Sequence, residues 1–576
     1  MSENLSSQNI DDVSIVLCGQ AGMGIQTVER LLTRVLKLSG YHVFATKEYM
    51  SRIRGGTNST SIRVSSRPVR ALVDRIDILI PLDTGAIPHV QRRISSSTVI
   101  LAETAALGDD FDPSRYNCID VPFTEIAKDI GDKIYSNIVA VGAIAGLFGI
   151  ELQAINEYIK QYFSTKSPDV IGKNIEAAKA GHDVGSNLAR SGRVGLQISG
   201  DSRVREEILI SGAEAVGLGA VAGGCNFIAA YPMSPSTPVL VFLAQQAKEF
   251  GIIAEQAEDE IAAMNMAIGA SYAGARAMVS TSGGGFALMT EGLSLSAMLE
   301  IPVVIHLAQR PGPATGLPTR TEQADLELAL YAGHGEFPRI ILAPGSLEDA
   351  FYLTSKAFNL ADKYQVPVFV LTDQYFIDSY YNVGAFDLSG VKVEKHVVKT
   401  KQDYQRYELT ENGISPRGVP GYGHGLVCVD SDEHDVQGHI TEDLDLRIRM
   451  VEKRLKKGHA LSKETIEPEL IGPDDYKTVV LCWGSTYHTV AEAVRNLGRD
   501  DVALLHFKQV HPLPEKTAAY LERAERTVII EGNATGQLAK QIKLHTGINV
   551  DKRILKYSGL SFSVEEVERE LAGLID

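Results

Sequence analysis

The chain has few cysteines, and no two of them are close together. Cys18, Cys118, Cys225, Cys428 and Cys482 are scattered over 576 residues without a C-x-x-C pair. An iron–sulfur cluster takes several thiolates at short spacing, so the chain is not expected to hold a cluster of its own. An odd, scattered set fits reduced thiols in a reducing compartment, hence a cytoplasmic location. Long apolar runs are missing too: none reaches the ~18 residues of a membrane span. The segment 1–12 is polar and acidic and lacks the basic and apolar regions of a signal peptide. Positive charge is in deficit, with 56 Lys and Arg against 72 Asp and Glu and a net charge of -16. That balance argues against nucleic acid or an anionic membrane as the main partner.

What is present is a large globular chain. The apolar fraction is 44%, enough for several cores. The length suggests roughly three or four domains. Short apolar runs at 13–18, 76–81 and 98–101 alternate with helical patterns, and so do runs at 277–280, 302–307, 340–342 and 367–371. This alternation predicts an α/β protein of several doubly wound domains with parallel sheets. Composition divides it into 1–190, 200–396, an irregular connecting segment 397–470, and 471–576, with a Gly/Ser-containing linker at 185–200. Within the connecting segment, Leu444, Ile448, Val451 and Leu455 form a helical stripe. The stripe predicts an amphipathic helix packed on a neighbour.

Several strand-end segments carry chemistry. Tyr231-Pro232-Met233-Ser234-Pro235-Ser236-Thr237-Pro238 follows a small apolar run and precedes a helical pattern. It reads as a helix start, with Ser236 or Thr237 as cap and Pro238 in the first turn. It also reads as a stiff polar loop at the carboxyl end of a strand, where open α/β sheets bind ligands. Gly19-Gln20-Ala21-Gly22-Met23-Gly24 joins a strand to a helix. It is a tight turn or a phosphate site, and its spacing is not the dinucleotide G-x-G-x-x-G. The run from Arg52 through Arg54 to Arg63 reads as a solvated basic loop or as anion donors. Glu258, Asp259 and Glu260 open a small-residue helix, where acids suit the dipole. Thr281-Ser282-Gly283-Gly284-Gly285-Phe286 is a Gly-rich strand end. Arg310 to Arg320 is a loop rich in Pro and Gly, and Arg310 suits either a surface ion pair or a carboxylate ligand. His424, Cys428, His434 and His439 share an irregular stretch, but their spacing matches no metal pattern.

Taken together these stretches resemble the fused γ-α subunit of 2-oxoacid:ferredoxin oxidoreductases, over nearly the whole chain. Residues 231–235 resemble the family's Tyr-Pro-Ile-Thr-Pro motif, with Met233 and Ser234 as departures. Ser234 keeps the hydroxyl of the usual threonine and loses its methyl. The resemblance implies a γ-like domain at 1–190, a thiamine diphosphate pyrimidine-binding domain at 200–396 and a transketolase C-terminal-like domain at 471–576. It places the carboxylate that bonds the cofactor's aminopyrimidine at Glu260, with Glu258 as the nearest rival. Arg310 and Thr319 would hold the substrate carboxylate, and Ser234 would contact the oxo group. Gly19, Gly22, Gly24, Arg52 and Arg54 would contact coenzyme A. Residues Glu531 to Leu538 would be structural and interfacial.

The implied activity is oxidative decarboxylation of 2-oxoglutarate to succinyl-CoA and CO2 with reduction of ferredoxin, or the reverse carboxylation. The chain lacks clustered cysteines and the G-D-G…N stretch by which thiamine enzymes hold Mg2+ and diphosphate. Mg2+ and the iron–sulfur cluster are therefore expected on a β subunit, in an (αβ)2 assembly inactive without it. Pyruvate or a branched-chain oxoacid is the alternative substrate. A non-catalytic nucleotide-binding subunit and an NAD-linked dehydrogenase are alternatives of other classes.

Overall fold

The computed structural model describes residues 12–20, 23–51, 56–108, 110–194 and 198–575. Two compact units result: residues 1–210 with 379–385 and 563–565, and residues 211–378 with 386–562 and 566–576. The first strands in chain order are β1 (Asp12–Gln20), β2 (His42–Glu48), β3 (Thr57–Ser65), β4 (Ile78–Pro81), β5 (Val99–Ala102), β6 (Asn117–Asp120) and β7 (Ile208–Ser211). Next come β8 (Phe227–Ala230), β9 (Ile253–Gln256), β10 (Ala277–Thr281), β11 (Val303–Gln309), β12 (Ile340–Leu342), β13 (Pro367–Asp373) and β14 (Tyr380–Val383). The last are β15 (Glu469–Ile471), β16 (Thr478–Trp483), β17 (Val502–Phe507), β18 (Gln509–His511), β19 (Arg526–Glu531) and β20 (Lys552–Leu555).

The first unit is built on one sheet of order β6-β5-β4-β1-β3-β2-β14-β7. Its β1, β4, β5 and β6 are parallel, as the alternation of runs predicts. Its other half corrects that expectation, because β3 runs antiparallel to both β1 and β2. The stretch between Glu48 and Thr57 is shorter than the dozen or so residues a parallel crossover needs. Part of the run read as a basic loop is thus a strand. Alternating Thr, Ser, Ile and Val make residues 57–65 a strand, with Ser59, Thr60, Ser61 and Ser65 buried. Arg63 is buried in it and donates to Asp12 Oδ2 at 2.6 Å. The expected linker at 185–200 also begins as helix, since Pro168–Arg190 runs through Gly185.

The second unit carries two sheets. The larger has the order β18-β12-β13-β11-β10-β8-β9 and is parallel except for β18, which pairs antiparallel with β12. The smaller has the order β15-β17-β16-β19-β20 and is parallel except for β15. One apolar core runs through both, from Ile305, Phe369 and Phe286 to Trp483, Phe507 and Ile529, all fully buried. Fully buried parallel strands read as continuous apolar runs, which is why they are visible in the sequence.

The helix Leu444–Ser462 reverses the expectation for its stripe. Leu444 is 77% exposed, Ile448 58% and Leu455 41%, while Met450, Lys453, Arg454, Lys457 and Leu461 are buried. The inward face is cationic because it meets Glu300, which accepts from Lys453 Nζ at 2.7 and 2.8 Å and also pairs with Lys457. Arg454 bonds Glu433 at 2.8 and 3.0 Å. Burial pushes the Glu300 carboxyl up, but Lys453, Lys457 and Arg406 more than reverse this and hold it below the carboxylate range. Burial draws Lys457 down to about 7 against the pull of Glu300. Removing the acid strands buried cations, so Glu300→Gln should cost ~3–5 kcal/mol in denaturant unfolding at neutral pH. A loss within ~0.5 kcal/mol, the range of ordinary surface changes, would contradict this account.

Candidate active site

Strands β8, β10 and β11 are neighbours in the larger sheet, and their carboxyl ends lead into residues 231–238, 281–285 and 310–325. Adjacent parallel strands bring three polar loops to one edge, the usual position of a ligand site in an open α/β sheet. β9, beside β8, leads into the helix Glu260–Tyr272.

In the first loop Ser236 is the residue preceding the helix Thr237–Phe250, and Pro238 lies in its first turn. The Ser236 hydroxyl does not cap the helix. It donates back to the Met233 carbonyl at 2.8 Å, and the Ser236 N–H donates to the same oxygen at 2.8 Å. Ser234 sits half-buried at the loop's centre, and its carbonyl accepts from Arg310 at 2.8 Å. Two of the predicted substrate residues are therefore in direct contact.

Glu260 is 3% exposed, whereas its rival Glu258 faces solvent. Asp259 supplies the cap of this helix by accepting from Ala262 N–H at 2.7 Å, which leaves the Glu260 side chain free of that task. Among the described residues nothing donates to the buried Oε1 of Glu260. The Gly-rich turn explains how the carboxylate fits. A Cβ on Gly285 would lie 2.6 Å from Glu260 Oε1 and 2.3 Å from Thr281 Oγ1. Only a bare backbone passes that close. Ser282 Oγ, also buried, is likewise without a partner among the described residues.

Arg310 and Thr319 lie on the loop after β11, with Arg310 half-buried and Thr319 buried. Burial lowers the guanidinium pKa, and Asp325 opposes the shift. Asp325 did not stand out in the sequence. A Cβ on Gly283 would meet its Oδ2 at 2.3 Å, so this carboxyl lies against the turn that also contacts Glu260. Burial, and secondarily Glu322, raises Asp325 to about 7, while Arg310 works the other way. The loop's far end is fixed by Gln323. Its N–H donates to Gly532 O at 2.6 Å, its Nε2 to Trp483 O at 2.8 Å, and its Oε1 accepts from Gly532 N–H at 2.8 Å.

Behind the loops lies a buried polar chain. Ser280 Oγ is 3.3 Å from the Ser236 carbonyl and 2.8 Å from His306 Nδ1, and His306 Nε2 is 2.9 Å from Thr372 Oγ1. Burial takes His306 down to about 3, so the ring is neutral at physiological pH and serves as a fixed bridge. Asp373, next to Thr372, accepts from Thr321 Oγ1 at 3.2 Å and Phe376 N–H at 2.9 Å, and from Ser485. These partners sit on elements far apart in sequence, so no local pattern reveals them.

The residues expected to contact coenzyme A are in the first unit. Gly22, Arg52 and Arg54 lie outside the described residues. Gly24 precedes the helix Ile25–Leu38 with φ 77°, and Asn137 packs against it while donating to Met23 O at 2.7 Å. Gly19 ends the buried part of β1 against Leu82. Of the irregular stretch, His434 is buried against the Tyr407 ring at 3.8 Å and Cys428 donates to Gly438 O at 3.2 Å. Among the described residues no group of three or more His, Cys, Asp or Glu is placed to hold a metal ion. Nor is any described helix long and apolar enough to cross a membrane.

Residues 14–184 match the family model for pyruvate ferredoxin/flavodoxin oxidoreductase, and residues 218–453 match its thiamine diphosphate-binding counterpart. The chain is 32% identical to a 2-oxoacid:ferredoxin oxidoreductase subunit alpha of Sulfolobus sp, with 98% of this chain and 97% of that one covered. The chain belongs to the 2-oxoacid:ferredoxin oxidoreductase family. A 2-oxoglutarate oxidoreductase subunit KorA of Mycobacterium tuberculosis is 28% identical over 98% of this chain and 91% of its own. In structure the chain is similar to the 2-oxoglutarate:ferredoxin oxidoreductase of Magnetococcus marinus. The TM-score is 0.91 at 30% identity, with 98% of this chain and 100% of the other covered. The thiamine diphosphate-binding region of this oxidoreductase subunit contains β8 to β13 and every loop of the candidate site.

The cofactor's residues can be tested against the polar atoms left over. An aminopyrimidine ring offers a ring nitrogen to a carboxyl group, and Glu260 Oε1 is a buried acceptor with no donor among the described residues. The fit is good. The loop's mooring is testable as well: Gln323→Ala removes two buried hydrogen bonds and should lower unfolding stability by ~2–4 kcal/mol. A change below ~0.5 kcal/mol on denaturant unfolding would show that Gln323 does not fix the loop.

Proposed function

We propose that this α subunit takes 2-oxoglutarate, converting it with coenzyme A to succinyl-CoA and CO2 while ferredoxin is reduced, and that strong reductant drives the reverse carboxylation. The observation that carries the reading is the buried Oε1 of Glu260, without a partner among the described residues, against the bare backbone of Gly285. The choice of substrate is supported by the KorA-type relative and by the Magnetococcus marinus enzyme, described with 2-oxoglutarate, coenzyme A and succinyl-CoA bound. Thiamine diphosphate, when bound, supplies a nucleophilic carbon and an electron sink for decarboxylation.

The chain's own residues then divide the work. Glu260 would accept a hydrogen bond from the protonated aminopyrimidine ring nitrogen, and burial makes that bond strong. Arg310 and Thr319 orient the C1 carboxylate, and the Ser234 hydroxyl donates to the 2-oxo oxygen. Arg310 already bonds the Ser234 carbonyl, so the two ligands are set relative to each other before substrate arrives. Gly19, Gly22, Gly24, Arg52 and Arg54 are assigned to coenzyme A. A β subunit in an (αβ)2 complex supplies the Mg2+–diphosphate site and the iron–sulfur cluster, for which this chain has neither motif nor clustered thiols. The complex acts in the cytoplasm.

The test uses the complex purified with its partner. Glu260→Gln should lower 2-oxoglutarate-dependent reduction of a low-potential dye by ~100-fold or more, the range for loss of a positioned acid–base group. Pyruvate should be the slower substrate for the unaltered complex. Unchanged activity in Glu260→Gln would favour a non-catalytic subunit, and faster pyruvate turnover would overturn the substrate.

A further inference from the structure

Asp325 has no role in the reading above, yet its placement is unusual. Its Oδ2 is buried and finds no donor among the described residues. Arg310 Nε is in the same position: buried, with no acceptor among the described residues. The two opposite charges feel each other, but among the described residues Arg310 spends its side-chain hydrogen bond on the Ser234 carbonyl at 2.8 Å. The carboxylate and the guanidinium thus interact without forming a close ion pair, and each keeps a polar group without a partner among the described residues, which leaves the guanidinium available to a visiting anion.

Asp325 is also unable to withdraw. Its carboxyl carbon and both oxygens lie within 2.5 Å of where a Gly283 Cβ would stand, so the turn backbone walls it in on that side. Its own backbone N–H is also held, by Gln309 Oε1 at 2.9 Å. A second anion entering beside Arg310 would therefore raise the energy of ionised Asp325 with no route of relief except protonation.

We propose that Asp325 is the exchangeable counter-charge of Arg310, ionised in the empty site and protonated when a substrate carboxylate takes the guanidinium. This rests on the assignment of Arg310 to the substrate carboxylate. The proton comes from bulk solvent, and the only bond formed is O–H on the Asp325 carboxyl. Binding of a 2-oxoacid to this subunit is then linked to uptake of one proton per site.

The surroundings are consistent with a group poised to titrate. Glu322 on the same loop raises Asp325, burial does so more strongly, and Arg310 lowers it, for a result of about 7. Beyond the Gly-rich turn is Glu260, which contacts Gly285. From β11 the neighbour is the neutral amide of Gln309. From the helix that follows, Leu326–Tyr331, the charge is Glu327, already paired at 2.9 Å with Lys540 of the helix Gln537–Thr546. Asp373, behind Thr321, stays hydrogen-bonded to three partners. His306, at about 3, does not titrate near neutrality.

The sign follows directly. Above Asp325's own pKa each binding event must fetch a proton, so affinity falls as pH rises, by about tenfold per unit at the limit. Below it the carboxyl is already protonated and affinity is flat. An Asp325→Asn complex should bind with little pH dependence and should bind more tightly than the unaltered complex at high pH.

The experiment is calorimetric titration of N-oxalylglycine, an unreactive dicarboxylate isostere of 2-oxoglutarate, into the thiamine diphosphate-loaded complex. Running it in two buffers of different ionisation enthalpy counts protons. Uptake should rise with pH through the neutral range and approach one proton per site where free Asp325 is fully ionised. It should vanish in Asp325→Asn with binding retained. Glu322→Gln, which removes a neighbouring negative charge, should move the uptake curve to lower pH. Binding without proton uptake in the unaltered complex overturns the proposal while leaving the substrate reading intact. Uptake that persists in Asp325→Asn overturns the assignment to this residue. Should Asp325→Asn fail to fold, the unaltered complex and Glu322→Gln decide it alone. No binding at any pH would overturn the substrate reading and this proposal together.

Discussion

A carboxylate taken out of water must find donors or a cation, or else it must be waiting for them. That constraint orders the second unit of this chain. Glu300 is matched by Lys453 and Lys457. Glu531 accepts from Trp483 Nε1 at 3.2 Å, from Asn533 at 2.9 Å and from two backbone N–H groups of the helix Gln537–Thr546. Asp362 is held by Arg276 at 2.5 Å and Arg417 at 3.1 Å. Glu260 is buried and Asp325 is partly buried, and each keeps a buried oxygen without a donor among the described residues. The satisfied acids are scaffold. Glu260 and Asp325 flank one Gly-rich turn at the carboxyl end of β10, the position at which open α/β sheets bind ligands.

The scaffold acids explain why the site is stiff. Glu531 organises the turn at 531–537, and that turn presents Gly532 to Gln323, which holds the end of the Arg310 loop. Asp373 ties Thr321 on the same loop to Ser485 after β16. The start of that loop is fixed by Arg310 on the Ser234 carbonyl, and the Ser234 loop rests through Ser280 on neutral His306. A loop held at both ends needs little reordering when a ligand binds, which favours orientation over adaptability.

Much of this was legible in the sequence, for a physical reason. Parallel strands buried on both faces must be continuous apolar runs, so β1, β10, β11, β13, β16, β17 and β19 stand out, and the loops after β8, β10 and β11 are marked by Gly, Pro and hydroxyl residues. Glu260 was placed by resemblance, and the structure separates it from Glu258 by burial. What failed to show was whatever depends on partners distant in sequence. The strand Thr57–Ser65 has polar residues on both faces and looked like a loop. The stripe Leu444, Ile448, Val451, Leu455 looked like a packed face, yet the buried side of that helix is the one with Lys453 and Lys457, because Glu300 waits there. Asp325 and His306 carry no local signature, since the Gly283 backbone and Thr372 that define them come from other strands.

The most direct check on the account is the position of the cofactor ring. A crystal structure of the complex with thiamine diphosphate should place the aminopyrimidine N1′ within ~2.6–3.0 Å of a Glu260 carboxylate oxygen, the range of a strong charge-assisted hydrogen bond. The ring should lie over the turn at Gly283 and Gly285. A cofactor whose N1′ meets a different acid, or whose ring lies away from this turn, would contradict it.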